Sequence, residues 1–420
     1  MSALPDGLAV EINFEGVGGT TLIWDDPTRG LWDTGTWGGG LAWVDVLAGG
    51  RVRSGSIARG ATRQDGPYAR AEAGTAEVVL GNRDAALDPT NLSGPYVAAG
   101  ITQVKPMRPW RIRAGAYDLW RGFADSWDLE YPASGHDAIV TLRGTDATKV
   151  LANFDGPEQG SQGAGEDTGA RINRVLDNAG WAAADRAIDT GLTTVQATTL
   201  AQPAWSEALL TADTEGGELY VDGAGKVVFR NRHAVLTEAR STAPQAAFGD
   251  GPGELPYVGL DLAYDDDLLA NLVRIARVGG TEQIAEDLAS QAEYLVRTFD
   301  RSDLVHQTDA ESAQHAGWVL GLMRSGTLRF DSITIDPRDD PETLYPAVLG
   351  RELGDRISIK WTPPGRPGDP IERDVLIRGI AHAFDATGAW STTFYLADAA
   401  RLDEYFVVGR AVIGRSRIAY

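Results

Sequence analysis

The chain has 420 residues, and its 59 acidic against 38 basic side chains give a formal net charge of −21 at pH 7. This acidity argues against sequence-specific nucleic acid binding, because phosphate contacts need concentrated cationic groups. The chain has no cysteine, which excludes disulfides, thiolate catalysis and cysteine metal sites.

Residues 1–50 form a Gly-rich segment with an unusual density of tryptophan: Trp24, Trp32, Trp37 and Trp43. Tryptophan at this density more often fills a core or a subunit contact, where it buries a large area. The alternative is a platform on which the indole rings stack against sugars. We therefore expect either an interface or a glycan contact here, and favour the interface.

Residues 51–152 read as a first β-barrel-like domain. In the segment 75–80, Ala76, Val78 and Leu80 share one face, which is the alternation of a half-buried strand. A second alternating segment covers 110–114. Turn formers separate such segments, and with 50 Gly and 20 Pro in the chain they favour a turn-rich β protein.

Residues 153–250 predict an α+β domain. One helix is expected from an N-cap at Thr168 to a stop at Gly180, and a second over 204–214. The segments 218–221 and 226–230 flank four turn residues, which indicates a β-hairpin.

Residues 251–340 continue the α+β region. The segment 271–278 alternates like a strand, and 328–335 predicts another. Thr308 is the expected cap of a helix that runs to about Met323. Its predicted inward face is Ala313, Ala316, Gly317 and Leu320.

The ten residues 119–128 (LWRGFADSWD) return at 376–385 (LIRGIAHAFD). The repeat pairs four positions: Leu119, Arg121, Gly122 and Trp127 with Leu376, Arg378, Gly379 and Phe384. Strand-like segments flank both copies. Two copies this far apart suggest a duplicated β-module with a different domain between them, rather than a solenoid.

The expected fold is thus mainly β with an inserted α+β region. Two similar β-barrel domains, 51–152 and 341–400, are separated by a mixed middle domain. The remaining residues, 401–420, predict a C-terminal docking tail, and within it 405–420 is apolar with three arginines.

Motifs for catalysis or cofactor binding are missing from the sequence. The five histidines include no i,i+4 pair, and neither a phosphate loop nor a nucleophile elbow is present. His306 and His315 lie nine positions apart, where two ordinary polar positions are favoured over a shared metal site. Carboxylates are plentiful, yet their spacing selects no catalytic pair. We expect no enzyme, no cofactor and no bound metal.

Several segments resemble the minor tail proteins of long-tailed actinobacteriophages. They are 43–46 (WVDV), 59–60 (RG), 73–84 (AGTAEVVLGNRD), 87–91 (LDPTN), 121–122 (RG), 215–222 (EGGELYVD), 271–273 (NLV), 353–355 (LGD) and 390–393 (WSTT). These proteins are in turn similar to baseplate hub proteins at the tip of phage tails and related injection machines. The resemblance covers most of the chain after residue 40, but not the Trp-rich segment.

This resemblance implies a structural tail-tip hub in the virion. In that family two similar barrels per chain sit in a homotrimer, so that six barrels form a pseudo-sixfold ring. A distal tail or tail-tube hexamer lies above the ring, and a spike, fibre or other minor tail protein lies below it. Such a ring would close the tail tube and surround the exit channel for DNA ejection.

Two other functions stay open at this stage. A receptor- or carbohydrate-binding minor tail protein is the main alternative, and a cell-wall hydrolase is disfavoured by the missing motifs. No apolar run approaches the ~20 residues that would span a bilayer, and residues 1–20 lack the pattern of a signal peptide. We therefore expect assembly in the host cytoplasm and no membrane span.

Overall fold

The computed structural model describes residues 4–14, 43–47, 51–62, 68, 70–132, 135–154, 159–200, 202–326, 328–399 and 402. Strands hold 41% of these described residues and helices 21%, which confirms that the fold is mainly β. Trp24, Trp32, Trp37 and the predicted docking tail, except Leu402, lie outside these residues.

The described strands are numbered in chain order. They are β1 Leu8–Asn13, β2 Trp43–Asp45, β3 Val52–Gly60, β4 Glu72–Gly81, β5 Val97–Ala98, β6 Ile101–Thr102, β7 Pro109–Ala114, β8 Tyr117–Glu130, β9 Ile139–Thr145, β10 Gln159–Gln162, β11 Glu166–Asp167, β12 Arg186–Ile188, β13 Thr194–Val195, β14 Thr198–Leu200, β15 Glu218–Val221, β16 Val227–Arg230, β17 Ala247–Phe248, β18 Gly259–Ala263, β19 Leu272–Arg277, β20 Gln283–Glu286, β21 Thr298–Leu304, β22 Arg329–Ile335, β23 Arg356–Trp361, β24 Ile371–Asp385 and β25 Trp390–Asp398.

The described helices are numbered in the same way. They are α1 Ala147–Ala152, α2 Thr168–Asn178, α3 Ala204–Glu215, α4 Ala234–Thr237, α5 Ala239–Thr242, α6 Leu288–Tyr294, α7 Asp309–Met323 and α8 Pro341–Leu349.

Thirteen of the strands form one large sheet. Its path runs β18-β22-β25-β24-β3-β4-β9-β8-β7-β1-β2, and β23 pairs with both β24 and β17. All of these pairings are antiparallel except that of β17 with β23. The sequence predicted two separate β-barrels. The path of this sheet has two ends, so the described strands do not close into such barrels.

Two five-stranded units with the same internal order make up most of this sheet. The first unit has the order β3-β4-β9-β8-β7, and the second has the order β18-β22-β25-β24-β23. If the five strands of each unit are numbered along the chain, their spatial order in both units is 1-2-5-4-3. A shared order that also places the repeated segment on the same strand, β8 or β24, is what duplication of one module produces.

One hydrophobic core runs through both units. It includes Trp110 and Trp120 of the first unit and Trp390 and Phe394 of the second, all almost completely buried. The units are therefore two halves of one packed body. Their shared apolar core stabilises the contact between them in a chain that has no cysteine.

The middle of the chain forms two smaller cores. In one, α1, α2 and α3 pack with the sheet β12-β16-β15. In the other, α7 packs with the sheet β20-β19-β21. The predicted hairpin is present as β15 and β16, and both predicted helices of the 153–250 region are present as α2 and α3.

Two details of the predicted helices are wrong: the N-cap of α2 and the inward face of α7. Helix α2 is capped by Asp167, whose carboxylate accepts from the Ala170 N–H at 2.9 Å, while the Thr168 hydroxyl donates to buried Glu215. Helix α7 begins after Thr308 as predicted, in a capping box with Glu311.

The predicted inward face of α7 is the other error. Ala316 is buried, but Ala313 and Gly317 are exposed, and Ser312 and His315 face the interior instead. Polar side chains replace apolar ones there because each finds a hydrogen-bond partner inside the protein, which offsets the cost of burial.

Candidate functional site: the seam between the two units

The two units meet where β24 pairs with β3, and we call this junction the seam. Seven antiparallel residue pairs form it, from Gly60 opposite Gly379 to Ser54 opposite Asp385. Strand β24 is long enough to carry two partners on this edge: its first half pairs with β23 and its second half with β3. Its other edge carries β25. The seam therefore continues the sheet from one unit into the other.

Glycines allow the close approach at the seam. Gly60 has φ +79°, and a Cβ there would lie 2.2 Å from the Arg378 carbonyl oxygen. A Cβ on Gly55 would lie 2.3 Å from the Phe384 ring, so this aromatic side chain occupies the space that the glycine leaves. Larger residues at either position would push the strands apart.

The glycines of the repeat stand at similar close approaches. A Cβ on Gly122 would lie 2.4 Å from the Thr145 carbonyl oxygen, and one on Gly379 would lie 2.4 Å from the Ala61 carbonyl oxygen. The repeated leucines, Leu119 and Leu376, are both buried. The repeat therefore marks positions where a neighbouring backbone closely approaches the backbone of β8 or β24.

The repeated arginines both reach the β15–β16 hairpin. The Arg121 guanidinium donates to the Asp185 carboxylate at 3.1 Å and to the Ala224 carbonyl in the hairpin turn at 3.5 Å. The Arg378 guanidinium is paired with Glu218 at the start of β15. One arginine from each unit thus holds the turn and the other holds the base of the same hairpin.

A buried ion pair joins the seam to the middle of the chain. The guanidinium of Arg59, whose side chain is almost fully buried, donates to the Glu352 carboxylate at 2.6 Å. The Gly223 N–H in the hairpin turn donates to the other Glu352 oxygen at 3.0 Å. Burial by itself would raise the pKa of Glu352, but the charge of Arg59 outweighs it and holds that pKa below its usual value.

Glu218 is the second buried carboxylate of this cluster. Desolvation would raise its pKa, but the positive charges of Arg378 and Arg230 lower it below its usual value. Nearby, the Arg240 guanidinium donates to Asp355 at 2.6 Å. These groups neutralise one another, which is the arrangement expected for buried charges that hold elements together.

The repeated aromatic residues differ in their surroundings. Phe384 is buried beneath Gly55 of the seam, whereas Trp127 at the same position of the first unit is only partly buried. The Trp127 indole N–H donates to the Lys105 carbonyl at 3.1 Å. Strand β3 covers Phe384, and no described strand covers Trp127 in the same way.

Trp43 is the one member of the tryptophan group in the described residues. It lies in β2, and the Arg111 guanidinium lies 4.4 Å from the centre of its ring, with Arg121 at 5.9 Å. Stacking of arginine on an indole is a packing contact. It leaves this ring less suited to receive a sugar.

Four side chains form a buried chain of hydrogen bonds beside α7. Ser312 Oγ lies 3.1 Å from His306 Nδ1, His306 Nε2 lies 3.2 Å from His315 Nδ1, and the Tyr68 hydroxyl lies 3.3 Å from His315 Nε2. Burial lowers the pKa of His306 to about 4 and lowers that of His315 well below its usual value. Both rings are therefore neutral near pH 7.

The two histidines thus meet in the structure, whereas their spacing in the sequence favoured two ordinary polar positions over a shared metal site. In the described residues no group of three His, Asp or Glu side chains could hold a metal ion. Tyr68 lies in the connection between β3 and β4, so these hydrogen bonds link the first unit to the α7 core. Nine-residue spacing across a helix start carries no signal for this contact.

A cavity of about 450 Å³ lies next to the seam. Its lining is mostly charged: Ala61, Thr62, Asp261, Asp265, Asp267, Arg329, Asp331, Ser332, Arg378, Tyr395 and Leu396. Arg329 donates to Asp265 at 2.7 Å and Asp261 accepts from Ser332 at 2.7 Å, so these groups already bond to each other.

Among the described helices, none is long and apolar enough to cross a membrane.

Comparisons with known proteins locate this fold. No protein-family model matches the chain, and no curated protein matches its sequence. The solved structure of a tail protein from Neisseria meningitidis MC58 matches with a TM-score of 0.58 and 14% identity, over 94% of this chain and 98% of that one. The 43 kDa tail protein of prophage MuSo2 from Shewanella oneidensis matches with a TM-score of 0.54 and 13% identity, over 86% and 96% of the two chains. The chain shares the fold of these two tail proteins.

Proposed function

We propose that the chain is a structural phage tail protein: a tail-tip hub that assembles as a homotrimer, ends the tail tube and surrounds the exit channel for DNA. The observation that carries this proposal is the repeated strand order of the two five-stranded units. Three chains with two equivalent units each supply six similar modules around one axis.

A pseudo-sixfold ring solves a symmetry problem at a tail tip. Six similar modules can face a hexameric tail tube or distal tail protein above. The true threefold axis suits a spike, a fibre or another minor tail protein below. The fold shared with two tail proteins supports this assignment, and the virion tail is the location that we propose for the chain.

The charged cluster at the seam supports a structural role over catalysis. Glu352 is paired with Arg59, Glu218 with Arg378, and Asp355 with Arg240. A catalytic carboxylate must instead present an oxygen to a substrate. We therefore propose that the protein acts by assembly, without turnover.

The environment of Trp43 bears on the receptor- or carbohydrate-binding alternative. Its ring is covered by the Arg111 guanidinium, so we propose that this residue packs the first unit together. For Trp24, Trp32 and Trp37 we propose an interface with neighbouring subunits.

The charge of the ring suits the passage of DNA. Three chains carry −63, three times the −21 of one chain. We propose that acidic side chains face the lumen, where they would keep a polyanion mobile. A neutral or basic inner wall in the surface potential of the assembled ring would contradict this point and leave the hub assignment standing.

Sedimentation of the purified full-length chain tests the proposal. We expect a species of three times the 44.8 kDa chain mass, and an axial ring of three copies in electron micrographs of the phage particle. A chain that stays monomeric at every concentration, or copies that lie in peripheral fibres, would contradict the hub.

A further inference from the structure

Strand β8 carries a strand on only half of one edge. Its first half pairs with β7, from Ala114–Tyr117 to Pro109–Phe123, and β9 occupies the opposite edge from Phe123 to Glu130. Two more backbone bonds join Ala124 to residues 107 and 108. Beyond them, no described strand pairs with the β7 side of residues 125–130.

The second unit shows what belongs on such an edge. Strand β24 occupies in that unit the position that β8 occupies in the first, and the same edge of β24 carries β23 on its first half and β3 on its second half. In the first unit β7 corresponds to β23. The place that corresponds to β3 spans residues 122–128 of β8. Strand β7 pairs as far as Phe123, and residues 125–128 have no strand on this edge within the described residues.

This chain contains a strand, β18, that corresponds to β3 and could pair with the vacant half-edge of β8. Strand β3 is the first strand of its unit, and the first strand of the second unit is β18. Strand β18 is an end of the sheet path: it pairs with β22 on one side, and no other described strand pairs with it. Among the described residues, each chain therefore presents a vacant half-edge on β8 and a strand, β18, of the kind that fills it.

Within one chain these two edges lie at different places along the sheet path, with seven strand pairings between β18 and β8. A pairing that repeats the seam therefore joins β18 of one copy to β8 of another. Such a contact uses two different surfaces, and contacts of this kind close into a ring when the rotation allows it.

The backbone hydrogen bonds along this edge of β8 end at Met107, and the Lys105 carbonyl beyond it accepts from the Trp127 indole. At Met107 the chain adopts φ +64°, a conformation that a non-glycine residue rarely adopts, and there it ends the extension of β7 along β8. Met107 is 48% exposed. A strained residue at this position is consistent with an edge that is kept for a partner.

Apolar side chains flank both edges. Tyr131, directly after β8, is 60% exposed, and Val258 and Tyr264 on either side of β18 are 62% and 70% exposed. Trp127 in the vacant half of β8 is partly exposed, while its counterpart Phe384 is buried under the seam. Edges with exposed apolar side chains are sites at which another strand adds by main-chain hydrogen bonds.

We propose that residues 125–130 of β8 in one copy pair antiparallel with β18 of a second copy. The proposal rests on the trimer of the proposed function and specifies its interface. The contact repeats the internal seam, so that six similar seams, three within chains and three between chains, join the sheets around the ring. Burial of Trp127 by the incoming strand is part of the contact.

Cysteine cross-linking tests this pairing without background, because the natural chain has no cysteine. Asp261 in β18 and Asp128 in β8 are exposed on their strands. Asp261→Cys is combined in turn with Ser126→Cys, Asp128→Cys or Glu130→Cys, which samples three registers. Directly opposed residues of an antiparallel pair are close enough for a disulfide when the strands are paired.

The internal seam supplies the matched control. Ser56 and Ala383 are both exposed and directly opposite each other across β3 and β24. Ser56→Cys with Ala383→Cys is expected to form an intrachain disulfide, which shows that oxidation and seam geometry suffice. Single Asp261→Cys is the second control, because it can cross-link only if two copies of β18 meet.

We expect at least one of the three β18–β8 pairs to give covalent species of two and three chains on a non-reducing gel. Sedimentation of the same samples separates the outcomes. A trimer that forms without these cross-links, while the seam control reacts, overturns the pairing alone, and the chain's own residues 403–420 or another tail protein then cover the edges. A chain that remains monomeric overturns the trimer as well. Cross-linking of the single variant into dimers overturns the pairing in favour of a symmetric β18 contact.

Discussion

Arg121 and Arg378 occupy the same position in the two five-stranded units, and both reach the β15–β16 hairpin. Arg121 bonds to the Ala224 carbonyl in the turn, and Arg378 pairs with Glu218 at the base. The middle of the chain is therefore attached to the duplicated β-structure through equivalent side chains. Changes at the seam are expected to affect both units and the hairpin together.

The first prediction concerns Gly60. In Gly60→Ala, the new methyl group would meet the Arg378 carbonyl at 2.2 Å in a backbone with φ +79°. We expect the free energy of unfolding, measured in urea, to fall by about 3 kcal/mol, since strain and overpacking add. Gly100→Ala is the matched control: its φ is +78° and nothing lies within 4 Å, so only the backbone cost of about 1 kcal/mol applies. Equal losses in the two variants would contradict the close approach at the seam.

The second prediction concerns the buried ion pair of Arg59 and Glu352. Glu352→Ala leaves the Arg59 guanidinium buried without its carboxylate, and we expect the free energy of unfolding to fall by about 3 kcal/mol. Asp84→Ala removes a carboxylate that is 54% exposed and pairs with Arg51, and its cost is expected to stay under about 1 kcal/mol. A Glu352→Ala protein as stable as the Asp84→Ala protein would show that the pair does not hold the seam.

The third prediction concerns pH. The pKa of His306 is lowered to about 4 and that of His315 is also lowered, so the unfolded chain binds protons at these groups before the folded chain does. Their contribution to stability is therefore complete above the usual pKa of about 6.5 and is lost progressively as the pH falls from 6.5 towards 4.

Urea midpoints measured between pH 7.5 and pH 4.5 check this sign. His382 adds to the same trend because burial lowers its pKa to about 3. We expect His315→Gln to show a smaller loss of stability over this range than the natural chain. An identical pH dependence in both proteins would mean that the buried histidine chain does not contribute.

The fourth prediction concerns residues 405–420, which lie outside the described part of the chain. This segment pairs apolar residues with three arginines, a composition common at interfaces. Deleting it is expected to abolish trimer formation in sedimentation experiments, while the unfolding transition of the remaining chain is preserved. Normal assembly of the shortened chain would contradict its role as a docking segment.

Local patterns in the sequence were enough for the elements that depend on neighbours along the chain. The alternation at 75–80 predicted β4, and Thr308 marked the start of α7. The repeat at 119–128 and 376–385 identified strand β8 of the first unit and its counterpart β24 in the second. These features need only periodicity, capping and self-similarity, which are visible in a single sequence.

Contacts across the chain required the tertiary structure. The second unit includes β18 and β22, which carry no copy of the repeat and are separated from each other by the α7 core. Gly60 pairs with Gly379, more than 300 residues later in the chain. His315 faces the interior because it forms hydrogen bonds there with His306 and Tyr68. Pairing of distant strands and satisfaction of buried polar groups depend on which surfaces meet in space. Residue spacing along the chain does not encode that choice locally, because each strand edge and each polar side chain could accept many partners.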